Sequence, residues 1–333
     1  MDTKKSYKKV FFISIVVLFF ITLLSITLGS VKINFIDSFK ILFSKIISFE
    51  NIEEKYKVII FNIRLPRIFL AGLVGLGLSV CGAIYQGMLK NNMADPYILG
   101  ISSGAALGAT ISIILNGIID IKIMAFITSI IITILVYLIS KSTYKKDNTL
   151  LILTGINVNY FLSGVVSLIM ILNKDKLDKI VFWTMGSFAV STWNSVITVF
   201  LITVPLVILV SFFGKYLNAM ALDEDTAKSV GINTEKIRLI LIIITCIITS
   251  VCVSVSGIIG FAGLMIPHMV RFVIGHDYRY LIPLSGILGS VFMIICDDIS
   301  RTIIAPTEIP IGIITSIVGA PYLVYLIYKK KRV

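Results

Sequence analysis

Charge is scarce in this chain, and it is scarcest where the hydrophobic runs lie. Charged residues make up 14% of 333 positions, and almost none falls inside ten long, nearly continuous apolar stretches. A chain without an ionisable relay at membrane depth has no ready way to couple to a proton or Na⁺ gradient, so its driving force is expected from another chain. Cysteine is sparse too. Cys81, Cys246, Cys252 and Cys296 show no CxxC spacing and make no disulfide framework. The two histidines, His268 and His276, stand eight apart with no ligand cluster around them, so no metal site is expected. No GxxxxGK(S/T) phosphate loop occurs, since Gly214-Lys215 lacks both the upstream glycine and the following hydroxyl residue. No Ser/His/Asp set or carboxylate pair converges. These absences predict no catalytic residue, no cofactor and no enzyme.

Apolar sequence is what is abundant. Hydrophobic residues are 57% of the chain and the mean hydropathy is +1.00, against about 45–50% apolar content in soluble domains. A membrane span takes about 20 apolar residues. Spans are predicted at approximately 10–29, 68–89, 97–118, 123–140, 150–172, 195–213, 238–258, 260–274, 280–297 and 309–328, with Pro267 and His268 interrupting the eighth. The fold class is therefore all-α: a polytopic membrane protein of about ten transmembrane helices, read as a single transmembrane domain over residues 1–333. The first span has no small-residue cleavage site after it and reads as a retained helix. Net charge is +12, but the Lys and Arg lie between spans, with no basic face interleaved with aromatics. That pattern sets topology in lipid and does not suggest nucleic acid. Basic clusters at both ends, Lys4 to Lys9 and Lys329 to Arg332, put both termini in the cytoplasm on an even number of spans. One anomaly follows: segment 31–67 becomes external although it carries Lys32, Lys40, Lys45, Lys55, Lys57, Arg64 and Arg67, an exposed cationic surface on the wrong side.

Small residues indicate tight helix packing, notably Gly100, Gly104 and Gly108 at four-residue intervals. Ser79–Ile84 (SVCGAI) is similar to Ser254–Ile259 (SVSGII) five spans later, a weak inverted repeat of the kind found in transporters. The longest cytoplasmic stretch is 214–238. Within it, residues 222–230 read as a short helix with acids in its first turn, ended by Gly231, and Asn233 or Thr234 caps the next span. This is either a rigid docking knob for a cytoplasmic partner or a solvated connector. Gly155, Asn159, Ser163 and Ser167 recur every four residues in the fifth span and either line a solute path or hydrogen-bond between helices. Asp297 and Asp298 read as interfacial, and 174–188 as a short interfacial helix carrying Trp183.

A series of motifs in order along the chain resembles one family. They are Arg64-Leu65-Pro66-Arg67, Gly82–Gly87 (GAIYQG), Asn91–Pro96 (NNMADP), Leu99–Ala105 (LGISSGA), Trp183–Ser187 (WTMGS), Ala227–Gly231 (AKSVG), Gly257–Arg271 (GIIGFAGLMIPHMVR), Glu308–Gly312 (EIPIG) and Gly319-Ala320-Pro321. They look like the permease subunits of ABC importers for iron–siderophore complexes, haem and vitamin B12. The resemblance implies ten spans per subunit, a dimer with a second copy or a paralogue, cytoplasmic ATPase subunits beneath, and an extracytoplasmic substrate-binding protein above. It implies docking roles for Arg64, Arg67 and Arg301 against that protein's acidic residues. It implies ATPase coupling for Leu222, Asp223, Glu224, Asp225, Ala227, Val230 and Gly231, and a cytoplasmic gate near Asn91, Met93, Asp147 and Asn148. Asn92 stands where the family has a proline, and Asp147-Asn148 where it has small hydroxyl residues. The implied cargo is an iron(III)-siderophore or related iron chelate; haem or cobalamin is the alternative ligand, and an ion-coupled secondary carrier the alternative class.

Overall fold

A computed structural model describes residues 3–31, 33–43, 53–141, 148–222, 224–229 and 231–330. The described residues are mostly helical, and none of them forms a strand. The helices are α1 (Thr3–Thr27), α2 (Phe35–Phe43), α3 (Glu54–Met88), α4 (Ile101–Ile114), α5 (Ile121–Lys141), α6 (Asn148–Leu172), α7 (Leu177–Thr184), α8 (Trp193–Ser211), α9 (Gly214–Leu222), α10 (Glu224–Ser229), α11 (Thr234–Ser256), α12 (Ala262–Ile274), α13 (Tyr278–Thr302) and α14 (Ile311–Lys330). Seven are long and apolar enough to cross a bilayer, α1, α3, α5, α6, α8, α11 and α13; three shorter apolar helices, α4, α12 and the apolar part of α14, occupy the other predicted spans. The chain is a multi-pass membrane protein.

α3 is the central element. It is buried along most of its length and runs antiparallel to α13: Arg67 meets Asp297, Ser290 donates to the Gly72 carbonyl at 2.7 Å, and a Cβ on Gly87 would sit 2.7 Å from the Tyr278 ring. The contact is close because glycine lines it on both sides; a Cβ on Gly75 would lie 2.2 Å from the Gly289 carbonyl oxygen. α3 also runs antiparallel to α11, so that Gly77 packs on Cys252 while Cys81 reaches the Thr245 carbonyl. The face with Tyr7, Met88 and Tyr278 is here the terminal face, and the one with Ser25, Arg67 and Asp298 the distal face. α1 links them, stacking Tyr7 on Tyr280 at 4.4 Å and bonding Ser25 to Asp298 at 2.6 Å.

Two helices are shorter than the sequence predicts. α4 has 14 residues and α12 has 13, about 20 Å each at 1.5 Å per residue, against about 30 Å of hydrocarbon. Each follows an irregular corner, residues 89–100 before α4 and 257–261 before α12. Irregular backbone is tolerated at depth only where protein covers it: in the first corner residues 90–93 are exposed at the terminal face, whereas Leu99, in a 3-10 turn over Pro96–Leu99, and Gly100 are buried, as is Ile259 in the second. Each half of the weak repeat thus contributes a long helix (α3, α11), a corner, then a short helix (α4, α12). Ser79–Ile84 lies inside α3, whereas Ser254–Ile259 straddles the end of α11. A one-atom latch joins the corners: the Tyr97 hydroxyl donates to the Ile259 carbonyl at 3.0 Å and accepts from the Ile259 amide at 3.3 Å.

α3 begins at Glu54, well before the predicted 68, and passes through Pro66. Proline cannot donate to the ladder; six residues of π-helix, Ile59–Arg64, immediately precede it and widen the turn where that bond is missing. Pro267 likewise lies inside α12 without interrupting it.

Candidate functional site

At the distal end of α3 and α13 lies an enclosed ionic rim. Arg67 donates Nε and Nη2 to Asp297 at 2.8–3.0 Å, and its Nη1 to both oxygens of Glu308 at 2.8 and 2.9 Å. Arg301 donates to the Ser25 carbonyl at 2.7 Å, to the Ser25 hydroxyl at 2.6 Å and to Asp298. Arg64 donates to the Ile26 and Thr27 carbonyls at 2.6 and 3.0 Å and to the Val31 carbonyl. It thereby satisfies acceptors that the end of α1 leaves without intrahelical partners. Two expectations are corrected here. Arg64, Arg67 and Arg301 do not form an exposed cationic surface; they are 3%, 4% and 4% exposed. Asp297 and Asp298 lie at this distal rim but are not exposed there; they are the enclosed counter-ions of Arg67 and Arg301. Arg67 meets its carboxylates across 230 and 241 positions of sequence, Arg301 pairs with Asp298 one helical turn away, and Arg64 is held by backbone carbonyls after α1 packs over it.

Between this rim and the terminal face, the described membrane helices carry no Asp, Glu, Lys or Arg until Arg271 on α12. Arg271 is buried and donates to the Gln86 carbonyl oxygen and, at 3.4 Å, to the Tyr278 hydroxyl. Among the described residues no group of three or more His, Cys, Asp or Glu side chains could hold a metal.

The polar stripe of α6 divides by use. Gly155 is a packing site, since a Cβ there would lie 1.9 Å from the Ile98 carbonyl oxygen in the first corner. Asn159 accepts from the Ser103 hydroxyl at 2.6 Å and donates weakly to the Tyr97 carbonyl, fixing α6 to that corner and α4. Asn159 and Ser163 also line a cavity of about 290 Å³, together with Ser102, Ser103, Ser167 and Ile258. Beside it α6 presents Tyr160 and Phe161, 76% and 70% exposed. Asn91 and Met93 form a tight turn at the terminal face, the Asn91 side chain accepting from the Met93 amide at 2.9 Å; neither lines the cavity beside Asn159. Asp147 and the side chain of Asn148 lie outside the described residues.

The 214–238 stretch is more structured than the sequence predicts. α9 is an added helix, buried through Leu217 and Met220 and missed in the sequence, although Phe213, Leu217 and Met220 have helical spacing. Asn218 on α9 donates to Asp277 at 2.7 Å and accepts from the Tyr278 amide at 2.8 Å. α10 ends as predicted, with Gly231 at φ 83° and the Ile232 amide donating to the Ala227 carbonyl at 3.0 Å. Asn233, not Thr234, caps α11, accepting from the Lys236 amide at 3.0 Å. Ala227 is buried and Leu222 is 82% exposed. Asp223 and Val230, and the side chains of Glu224 and Asp225, lie outside the described residues. Outside the spans, hydrogen bonds from Arg279 and Asn218 hold the Asp277 carboxyl down at about 2 despite partial burial.

A bundle of apolar helices with two irregular corners, a polar cavity against them and ordered short helices on one face defines a membrane permease. The match to known proteins agrees with that class: the FecCD transport family covers residues 17–329, and the chain belongs to this family. An uncharacterized ABC transporter permease protein, YvrB, of Bacillus subtilis (strain 168) is 40% identical over 284 residues, spanning 83% of this chain and 80% of that protein. The hemin transport system permease protein HmuU of Yersinia pestis is 35% identical over 279 residues, spanning 81% and 83%. A solved inward-facing metal-chelate type ABC transporter superposes with a TM-score of 0.83 at 30% identity, covering 97% of this chain and 99% of its own. Further relatives are named for cobalamin, iron(3+)-hydroxamate and molybdate import. The chain is a transport subunit and not an enzyme; ATP hydrolysis belongs to another subunit of such transporters.

Proposed function

We propose that this chain is the membrane-spanning subunit of an ATP-driven importer for an iron(III) chelate, with the terminal face cytoplasmic and the distal face external. On this reading cytoplasmic ATPase subunits bear on α9, α10 and Gly231, and a second permease, identical or a paralogue, covers the exposed face of α6. The cargo passes along the cavity lined by Asn159 and Ser163. An extracytoplasmic substrate-binding protein delivers the cargo to the distal face. Arg64, Arg67 and Arg301 then support that docking surface from behind, as enclosed ties of the rim. Haem and cobalamin remain within the class of cargo, because relatives are named for hemin and cobalamin.

The observation that carries the reading is the lack of an ionisable relay along the spans. The middle of the described membrane helices has hydrogen-bonding side chains such as Asn159 and Ser163 but no carboxylate or lysine, and Asp95 in the first corner is engaged locally, accepting from the Tyr97 amide at 2.8 Å. Work must then be delivered from a face. The test is reconstitution of the chain with its ATPase and binding protein in vesicles loaded with ATP, following uptake of ⁵⁵Fe-labelled chelate. Uptake that requires both partners and hydrolysable ATP supports the proposal; iron accumulation indifferent to the ATPase overturns it.

A further inference from the structure

The distal face holds a second cavity, of about 560 Å³, to which the permease reading gives no role. Its walls are the first turn of α5, the helix α7, the end of α11 and the segment Glu308–Pro310. Glu308 is its one carboxylate, and both oxygens of Glu308 already accept from Arg67. Two lysines remain. Lys122 donates only to the Ser195 hydroxyl, at 2.8 Å, and Lys179 is exposed; neither has a carboxylate within 4 Å among the described residues. Asp120, two residues before Lys122, caps α5, its carboxylate accepting from the Lys122 backbone amide at 2.7 Å. The cavity thus carries two unmatched positive charges. Its α7 wall carries two aromatic side chains, Phe182, 60% exposed, and the half-buried Trp183. Solvent-exposed aromatic surface beside unpaired cations marks a binding site, and the volume is that of a small-molecule pocket. Cations and ring faces together favour an anion bearing flat aromatic groups, since lysine pairs with its charge and the indole stacks on its rings.

We propose that this cavity is a receiving site for a negatively charged, aromatic metal chelate of the catecholate class, occupied before the chelate enters the path. Lys122 and Lys179 select charge, and Phe182 and Trp183 select the aromatic arms. A neutral hydroxamate chelate satisfies neither lysine. The inference rests on the reading of the chain as an importer of metal chelates.

The test is equilibrium dialysis of the full chain in lipid nanodiscs against the ⁵⁵Fe(III) complex of 2,3-dihydroxybenzoate, in parallel with neutral ⁵⁵Fe(III) acetohydroxamate. The wild type should retain the catecholate complex about tenfold better, as two weakly screened ion pairs would give. The preference should shrink with added salt. Lys122→Gln with Lys179→Gln should abolish it, and Lys122→Arg with Lys179→Arg should keep it, which separates charge from folding. Equal retention of both complexes by the wild type, or a preference untouched by the double glutamine variant, overturns the inference. So does loss of binding-protein association in that variant with chelate retention intact, which would give the cavity to a protein's carboxylates. ATP-driven uptake of the hydroxamate complex distinguishes the two failures. If it proceeds while the catecholate preference is absent, only the receiving site fails; if neither complex is ever taken up, the importer reading fails with it.

Discussion

The side-chain amide of Asn218 donates to the carboxylate of Asp277 at 2.7 Å, and its oxygen accepts from the next residue's amide, Tyr278, at 2.8 Å. Asp277 in turn caps α13, accepting from the Arg279 amide at 3.0 Å. One asparagine therefore fastens α9 to the first turn of a helix that runs the length of α3 and ends in the Asp297–Arg67 pair. Asn218 and α13 thus join α9, at the terminal face, to the distal rim through direct contacts.

Replacing Asn218 by alanine removes both bonds, one of them to a charged group, and should loosen α9 by about 1.5–3 kcal/mol. Vesicles bearing the Asn218→Ala permease with its ATPase should hydrolyse ATP at close to the normal rate while importing less chelate per ATP. An unchanged ratio of uptake to hydrolysis would show that α9 does not transmit the stroke.

Asp277 gives a pH signature. Its carboxyl titrates near 2 in the folded protein, below the usual value of about 3.9 in an unfolded chain. A depressed carboxyl contributes stability above the unfolded pKa and loses it as pH falls toward the folded one. The melting-temperature difference between wild type and Asp277→Asn should therefore be constant from pH 8 to about 5 and should narrow between about 4 and 2. A difference that varies between pH 6 and 8 would mean that another group governs this cap.

Arg67 should behave as a structural ion and not as a surface contact. Removing one partner of a buried pair costs about 3–5 kcal/mol, and Arg67→Ala strips the enclosed Asp297 of its hydrogen-bonded partner, leaving it only the longer 3.9 Å contact to Arg301. Its melting temperature should fall well below that of Lys55→Ala, whose partner Glu53 is 64% exposed at 3.8 Å. Similar melting temperatures for the two would contradict the enclosed rim. Charge reversal at Arg67 would report folding before it reported docking.

The second corner offers a contrast between two glycines. A Cβ on Gly82 would lie 1.7 Å from the Gly263 carbonyl oxygen, whereas nothing stands within 4 Å of one on Gly260. Gly82→Ala should fail to accumulate in the membrane as folded protein, and Gly260→Ala should accumulate normally. Equal accumulation, measured by fluorescence-detected size exclusion, would mean that α3 and α12 are not in the contact described.

The membrane helices were legible because lipid demands apolar residues throughout, and all ten predicted stretches contain an apolar helix. Their lengths were less so. Corner residues such as Leu99 and Ile259 are as apolar as helix residues because they too are buried, and composition does not distinguish the two conformations. Gly231 and Asn233 were readable because they act through their own backbone neighbourhood. The rim was not, because Arg67 and Asp297 are 230 positions apart, and a sequence shows each charge without its partner. Asn218 carried no signal at all; its role exists only once α9 lies against α13.

The most direct measurement of the central claim sets ATP against the proton gradient in the same vesicles. With the permease, its ATPase and its binding protein reconstituted, initial rates of ⁵⁵Fe-chelate uptake are taken with ATP, with a protonophore added, and with an imposed proton gradient but no nucleotide. The account predicts full uptake with ATP, the same rate after the protonophore, and none from the gradient alone. Uptake driven by the gradient without ATP would contradict it.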